Sequence, residues 1–278
     1  MSYEFLSDQM YLMPTHFGPS LGPRQNPEGG RFPFQEDPKS TTYMVHFLSD
    51  AQQLESMLPP GFELAGEPVV TVSLTYMTEI GWLAGRGYAM LGLTIPATFH
   101  GQQETVTGDF LTVLWENRTE PIITGREELG FSKIYCALPD PLVYRGKTHC
   151  TASWDGYKFM DLTVENLRAL TPAEIGAVLG GRRSAGYLHY KYMPRTGEWG
   201  VADAAYATLS PSGASNQKLE GVWAGEGSVH FHAARWEDMP TQYRIVNAFH
   251  ALPMLEARGA LMLKAVGGTD MYSQRILR

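Results

Sequence analysis

Short runs in which apolar and polar residues alternate recur along most of this chain. That period of two is the pattern of a strand with one buried face. The run YMVHFL from residue 43 is β-branched and aromatic as well as alternating. PVVTVSLTYM (68–77) sets Val70, Val72, Leu74 and Tyr76 on one face and Val69, Thr71, Ser73 and Thr75 on the other. GDFLTVLW (108–115), EPIITG (120–125), KTHCTASW (147–154), YKFMDLTV (157–164) and YLHYKYM (187–193) read as further strands. Asp155-Gly156, between two of these runs, is a two-residue hairpin turn. Helices are few. SDAQQLESMLPPG opens on a Ser-Asp cap and stops at Pro59-Pro60-Gly61. TPAEIGAVLGG has Thr171 as cap, Pro172 at the first helical position and Glu174 completing a capping box. MPTQYRIVNAFHAL has Thr241 as cap and a stripe of Tyr243, Val246 and Phe249. Many near-evenly spaced strands with few helices predict a mainly β chain built on one closed or nearly closed sheet.

The chain has 278 residues, enough to bury a core without a disulfide or metal staple. It is read as one domain, 1–278, with an irregular N-terminal arm at about 1–41, because residues 17–39 are rich in Gly and Pro and lack periodicity. Such an arm wraps the body or reaches a neighbouring subunit. The net charge of −7 argues against a nucleic-acid partner, which calls for a basic face. No apolar run approaches the ~20 residues of a membrane helix. The opening MSYEFLSDQMYLMPTHFG has no basic start and no long apolar stretch, so the expectation is a cytoplasmic protein in which Cys136 and Cys150 are free thiols.

The stretch ITGREELGFSKIYC (123–136) places one amine, Lys133, between a cluster of charges and an apolar run. A lysine attacks a carbonyl only when neutral, and in water its pKa is about 10.4. Burial or a nearby cation lowers that value by disfavouring the charged form. The resulting imine, once protonated, draws electrons from the adjacent carbon and supports carbon–carbon or carbon–oxygen bond chemistry. The plain alternative is a surface lysine on a loop.

GREELGFSK (125–133) resembles the lysine-bearing signature of the acetoacetate decarboxylase superfamily. LPPGFELAGEPVV (58–70), IPATFHGQQETVTGDFL (95–111) and ENRTEPIITGRE (116–127) resemble family segments in the same order, and GVWAGEGSVHFH (221–232) and ALPM (251–254) do so more loosely. The resemblance implies a cone-like, mostly antiparallel β-barrel with peripheral helices, a homo-oligomer and no cofactor. It also implies that Lys133 forms the imine with a small keto acid or ketone, with Arg126 and Glu127 as an ion pair fixing the loop beneath it.

The departures from the family pattern carry as much information. A second lysine normally follows the nucleophile; here Ile134 stands there, and apolar residues after Lys133 are expected to desolvate the amine instead. A family pocket glutamate maps onto Met90 and a second onto Ser73. The arginine that would hold a substrate carboxylate maps near Ser40, with Lys39 or Arg31 as stand-ins, and Ser132 replaces the usual proline. Imine chemistry of the aldolase-dehydratase or hydratase type is therefore expected over decarboxylation. A true β-keto acid decarboxylase and a non-catalytic small-ligand-binding protein are the alternatives.

Enamine formation needs a base, and Tyr88, Glu79, Glu116 and Glu120 are the candidates. Tyr88 is preferred as acid/base because, on a strand, it shares a face with Met90. His230 and His232 alternate and share a face, but no third ligand accompanies them, so no metal is expected. Cys136 is expected to line or back the pocket as inert packing.

Overall fold

Alternation becomes a single large sheet. The computed structural model describes residues 4–32, 38–180, 184–213 and 215–278. Its strands are β1 (Lys39–Leu48), β2 (Phe62–Leu64), β3 (Val69–Ile80), β4 (Arg86–His100), β5 (Thr105–Glu116), β6 (Lys133–Tyr135), β7 (Leu142–Tyr144), β8 (Lys147–Trp154), β9 (Tyr157–Ala169), β10 (Gly186–Pro194), β11 (Ala202–Pro211), β12 (Lys218–Phe231), β13 (Glu256–Val266) and β14 (Arg275–Ile276). They follow the order β14-β11-β10-β5-β4-β3-β1-β13-β12-β9-β8-β7, with β2 on β4 and β6 on β5. Pairing is antiparallel except where β5 meets β10 and β6.

The expected barrel closure is corrected. The path is open, and among the described residues its terminal strands β14 and β7 do not pair with each other. These edges are two and three residues long. They offer too few backbone groups to seal a sheet that curls by its own twist.

The two faces of the central strands differ, as the period of two requires. Tyr43, Val45, Phe47, Val70, Val72 and Leu74 belong to the main core cluster, joined by Trp115, Phe159 and Met239. Ser73, Thr75 and Met77, on the other face of β3, line a cavity instead. The hairpin at Asp155-Gly156 forms with φ of 45° and 86°, the left-handed pair that a two-residue turn demands.

Among the described residues four α-helices flank the sheet: α1 (Ala51–Glu55), α2 (Thr119–Thr124), α3 (Pro172–Gly180) and α4 (Tyr243–His250). The capping box of α3 forms, with Thr171 N–H donating to Glu174 Oε2 at 2.8 Å. EPIITG, expected as a strand, is α2. The parallel pairing of β5 with β6 needs a crossover, which a helical turn supplies and a strand could not.

The N-cap of α4 is Gln242, not Thr241, and the Gln242 side chain does not cap. Instead its Oε1 accepts from Trp115 Nε1 at 2.7 Å and its Nε2 donates to the Tyr135 carbonyl at 3.0 Å. Trp115 is fully buried. Gln242→Ala strands that indole N–H and is expected to lower stability by about 1–3 kcal/mol in urea unfolding.

Residues 4–32 are irregular apart from a short 3₁₀ turn at Thr15–Phe17. Gln25, buried here, pins the segment to itself through Met10 N–H and the Ser20 carbonyl. Pro23 and Phe32 reach the cavity wall. Part of the expected arm, residues 1–3 and 33–37, lies outside the described residues. No helix among the described residues is long and apolar enough to cross a membrane.

Candidate active site

β5 carries the chain to Glu116, α2 and a wide helical turn at Gly125–Leu129 reverse it, and β6 returns parallel to β5. Leu114 then lies opposite Lys133, Trp115 opposite Ile134 and Glu116 opposite Tyr135. Alternation sends Leu114 and Lys133 into the cavity and Ile134 away from it. Ile134 packs on the core and lines a second cavity with Arg126 and Lys191. The expectation that Ile134 and its successors desolvate the amine is thus corrected: Tyr135 is 46% exposed and Cys136 is in the core. Leu114, Pro121, Gly125 and Phe131 lie against Lys133 instead.

The Lys133 side chain is 9% exposed. Its Nζ donates to the Pro121 carbonyl at 3.0 Å and stands 2.9 Å from Glu116 Oε1. Phe131 puts its ring 5.0 Å from the same nitrogen. Glu116 is completely buried, and neither carboxylate oxygen has a well-aligned hydrogen bond. Burial raises its pKa, and the charge of Lys133 recovers only part of that shift.

The turn before the lysine is held through its backbone. Arg126 Nη1 donates to the Lys133 carbonyl at 2.8 Å. Lys191 Nζ donates to the Glu127 carbonyl at 2.5 Å, and Gln274 and Thr208 both donate to the Leu129 carbonyl. The expected Arg126–Glu127 ion pair is not among the ion pairs of the described residues. A guanidinium that already holds the lysine's own carbonyl fixes the loop more directly.

Gly125 has a separate reason to be glycine. A Cβ built there would lie 2.5 Å from Lys133 Cδ and 2.8 Å from its Nζ, so the lysine lies directly on the glycine backbone. Gly125→Ala is expected to leave the fold intact, lower stability by about 1–3 kcal/mol and displace the amine. Urea unfolding together with the rate of reductive trapping by a carbonyl compound checks this.

The cavity measures about 400 Å³, and Ser73, Tyr88, Met90 and Lys133 all line it, as does Ser40. Met90 is the cross-strand neighbour of both Glu116 and Thr75. The phenol of Tyr88 is raised by burial and then by the charge of Glu116, so it is held protonated and suited to offering a hydrogen bond. Of the other candidate bases, Glu79 is engaged by Lys39 at 2.8 Å and Glu120 is exposed. In the sequence Glu116 is one of three glutamates that stand as candidates beside the preferred Tyr88. An acid closing the otherwise apolar run LTVLW is the signal that sets it apart.

Neither proposed stand-in for the arginine reaches the cavity. Lys39 pairs with Glu79, while Arg31 pairs with Asp270 and stacks 4.8 Å over the Tyr272 ring. His232 bonds Asp161 at 2.6 Å, and neither His230 nor His232 lines the cavity.

A family model described as acetoacetate decarboxylase matches residues 12–266. No curated protein matches the chain. Among solved structures, the acetoacetate decarboxylase of Legionella pneumophila superposes with a TM-score of 0.66 at 17% identity, covering 87% of each chain. An acetoacetate decarboxylase-like enzyme from Sphingomonas wittichii RW1 gives 0.64 at 18% identity, covering 87% of this chain and 92% of that one. The enduracididine biosynthesis enzyme MppR, complexed with the condensation product of pyruvate and imidazole 4-carboxaldehyde, gives 0.58 at 16% identity, covering 86% and 88%. At these identities the likeness is one of fold.

Proposed function

Because this chain belongs to the acetoacetate decarboxylase family, we propose that it is a Schiff-base-forming lyase of the aldolase-dehydratase or hydratase type, with Lys133 as its nucleophile. The observation that carries this reading is the buried contact between Lys133 Nζ and Glu116 Oε1 at 2.9 Å. Moving one proton from the ammonium to the carboxylate frees the amine to attack. A carboxyl whose pKa burial has already raised is a fitting acceptor.

The amine adds to the carbonyl carbon of a donor, and the oxygen leaves as water, giving a protonated imine. Glu116, having passed the ammonium's proton on to that departing oxygen, takes a proton from the adjacent carbon, and the electron pair left behind forms an enamine. The enamine carbon bonds to the carbonyl carbon of an aldehyde, whose oxygen gains a proton. Glu116 then removes the remaining proton from the carbon beside the imine and returns it to the hydroxyl, which departs as water as the double bond forms, and hydrolysis of the imine frees Lys133. Two carbonyl compounds become one unsaturated carbonyl compound and one water; the reverse is hydration followed by cleavage. Tyr88 donates a hydrogen bond to the departing oxygen. Arg126 positions Lys133 through its carbonyl, and Glu127 contributes its backbone to the same turn.

MppR, caught with the condensation product named above, gives this reaction type a precedent on a similar fold. Decarboxylation is the weaker reading, since the cavity offers no second cation beside Lys133 among its described lining. We also propose a cytoplasmic homo-oligomer with its two thiols free. Cys136 and Cys150 are buried and unbridged, and exposed apolar residues such as Trp199, Val143 and Tyr144 suit a covered interface. The test of the enzyme reading is borohydride trapping followed by peptide mass spectrometry. An adduct on the Lys133 peptide is expected, and its absence with every carbonyl compound tried would move the reading to a non-catalytic binding protein.

A further inference from the structure

Part of the cavity wall is satisfied within itself. Thr42 and Thr75 hydroxyls bond each other at 2.9 Å, and the Ser73 hydroxyl points to the Gly92 carbonyl at 3.4 Å. The remaining surface is dominated by side chains such as Met44, Met77, Met90, Trp82 and Leu263. Among the described lining residues the charged ones are Lys133 and Asp270, and Asp270 is already paired with Arg31. Lys133 in turn has Glu116 against it. Among the described lining residues a ligand carboxylate entering here would find no free cation, and it would approach the buried Glu116 carboxylate beside Lys133.

We propose, resting on the imine reading above, that the donor substrate is a neutral ketone or aldehyde with an apolar body, and not a keto acid. Mobile methionines suit an irregular hydrocarbon or aromatic surface. The polar demand of such a ligand is confined to its carbonyl, which Lys133 consumes.

Benzylacetone and phenylpyruvate test this, because both carry a phenyl group and a ketone and only the second carries a carboxylate. Pyruvate serves as the small acid control. Each is incubated with the native protein and borohydride, and the Lys133 peptide is quantified. Trapping of benzylacetone is expected to exceed that of either acid by at least about a hundredfold, as expected for a site that leaves a buried polar group unpaired. Equal or better trapping of either acid overturns the substrate class while leaving the imine reading intact.

A second measurement separates the two readings. The double variant Lys133→Met/Glu116→Gln removes both charges and the nucleophile, and its binding of the same two phenyl ketones is followed by calorimetry. Binding of benzylacetone over phenylpyruvate supports the substrate class even if nothing traps in the native protein, which would defeat the imine alone. Equal binding of the two in the double variant, or tighter binding of phenylpyruvate, overturns the class.

Discussion

Lys133→Met is expected to abolish reductive trapping and to destabilise the chain by about 3–5 kcal/mol at neutral pH, because it leaves a buried carboxylate without its cation. The side chains are of similar length, so the loss belongs to charge rather than to volume. The sign of the pH dependence follows from Glu116, whose pKa in the folded protein is already raised above the usual value of 4.5. A carboxyl with a raised folded pKa binds more protons folded than unfolded in the window above 4.5. Its contribution to stability is then greatest below that window and falls as pH rises through the folded pKa. Removing the cation raises the folded pKa further. Urea unfolding from pH 5 to 8 is therefore expected to show the variant falling progressively further below the native protein. A parallel pair of curves would mean that Glu116 is not the group left exposed to the change. Adding Glu116→Gln to Lys133→Met is expected to recover most of the deficit.

Glu116→Gln alone separates chemistry from stability. The amide keeps the shape and cannot accept a proton. Imine formation and proton removal from carbon are expected to slow by about 10²–10⁴, the usual range for losing a positioned base. The fold is expected to hold, and the decline in stability with rising pH that Glu116 causes disappears. If trapping continues at the native rate, another group receives the proton. Tyr88→Phe, which removes only a hydrogen-bond donor, is expected to slow trapping less than Glu116→Gln.

Much of this was readable in the residues. The polar face of β3, Ser73 and Thr75, was separable from Val70, Val72 and Leu74 by period alone, and it is the face that lines the cavity. The α3 capping box and the Asp155-Gly156 hairpin were legible because their signals are local. The stripe of α4 was legible too, but its cap was not, since Gln242 is drawn away by Trp115, 127 positions distant. Ile134 was misjudged for a related reason. Proximity in sequence to Lys133 suggested proximity to its amine, whereas successive strand residues point to opposite faces. EPIITG reads as a strand on β-branched content, and only the parallel return of β6 beside β5 requires a helix there. Closure of the sheet depends on two short edges that no periodicity reveals.

The loop that joins β5 to β6 also has a kinetic meaning. Glu116 and Lys133 stand at its two ends, and the turn between them is tied to the rest of the chain by Lys191, Thr208 and Gln274 through backbone carbonyls. Such a segment can open as a unit while the large sheet stays formed. When it does, Lys133 leaves with β6 while Glu116 stays on β5 opposite Met90, so the amine is the reactive group that is lost and the carboxylate the one that persists. Amide exchange across α2 and the following turn would then report the fraction of molecules competent to react. Gentle warming would silence the protein before its strands begin to separate.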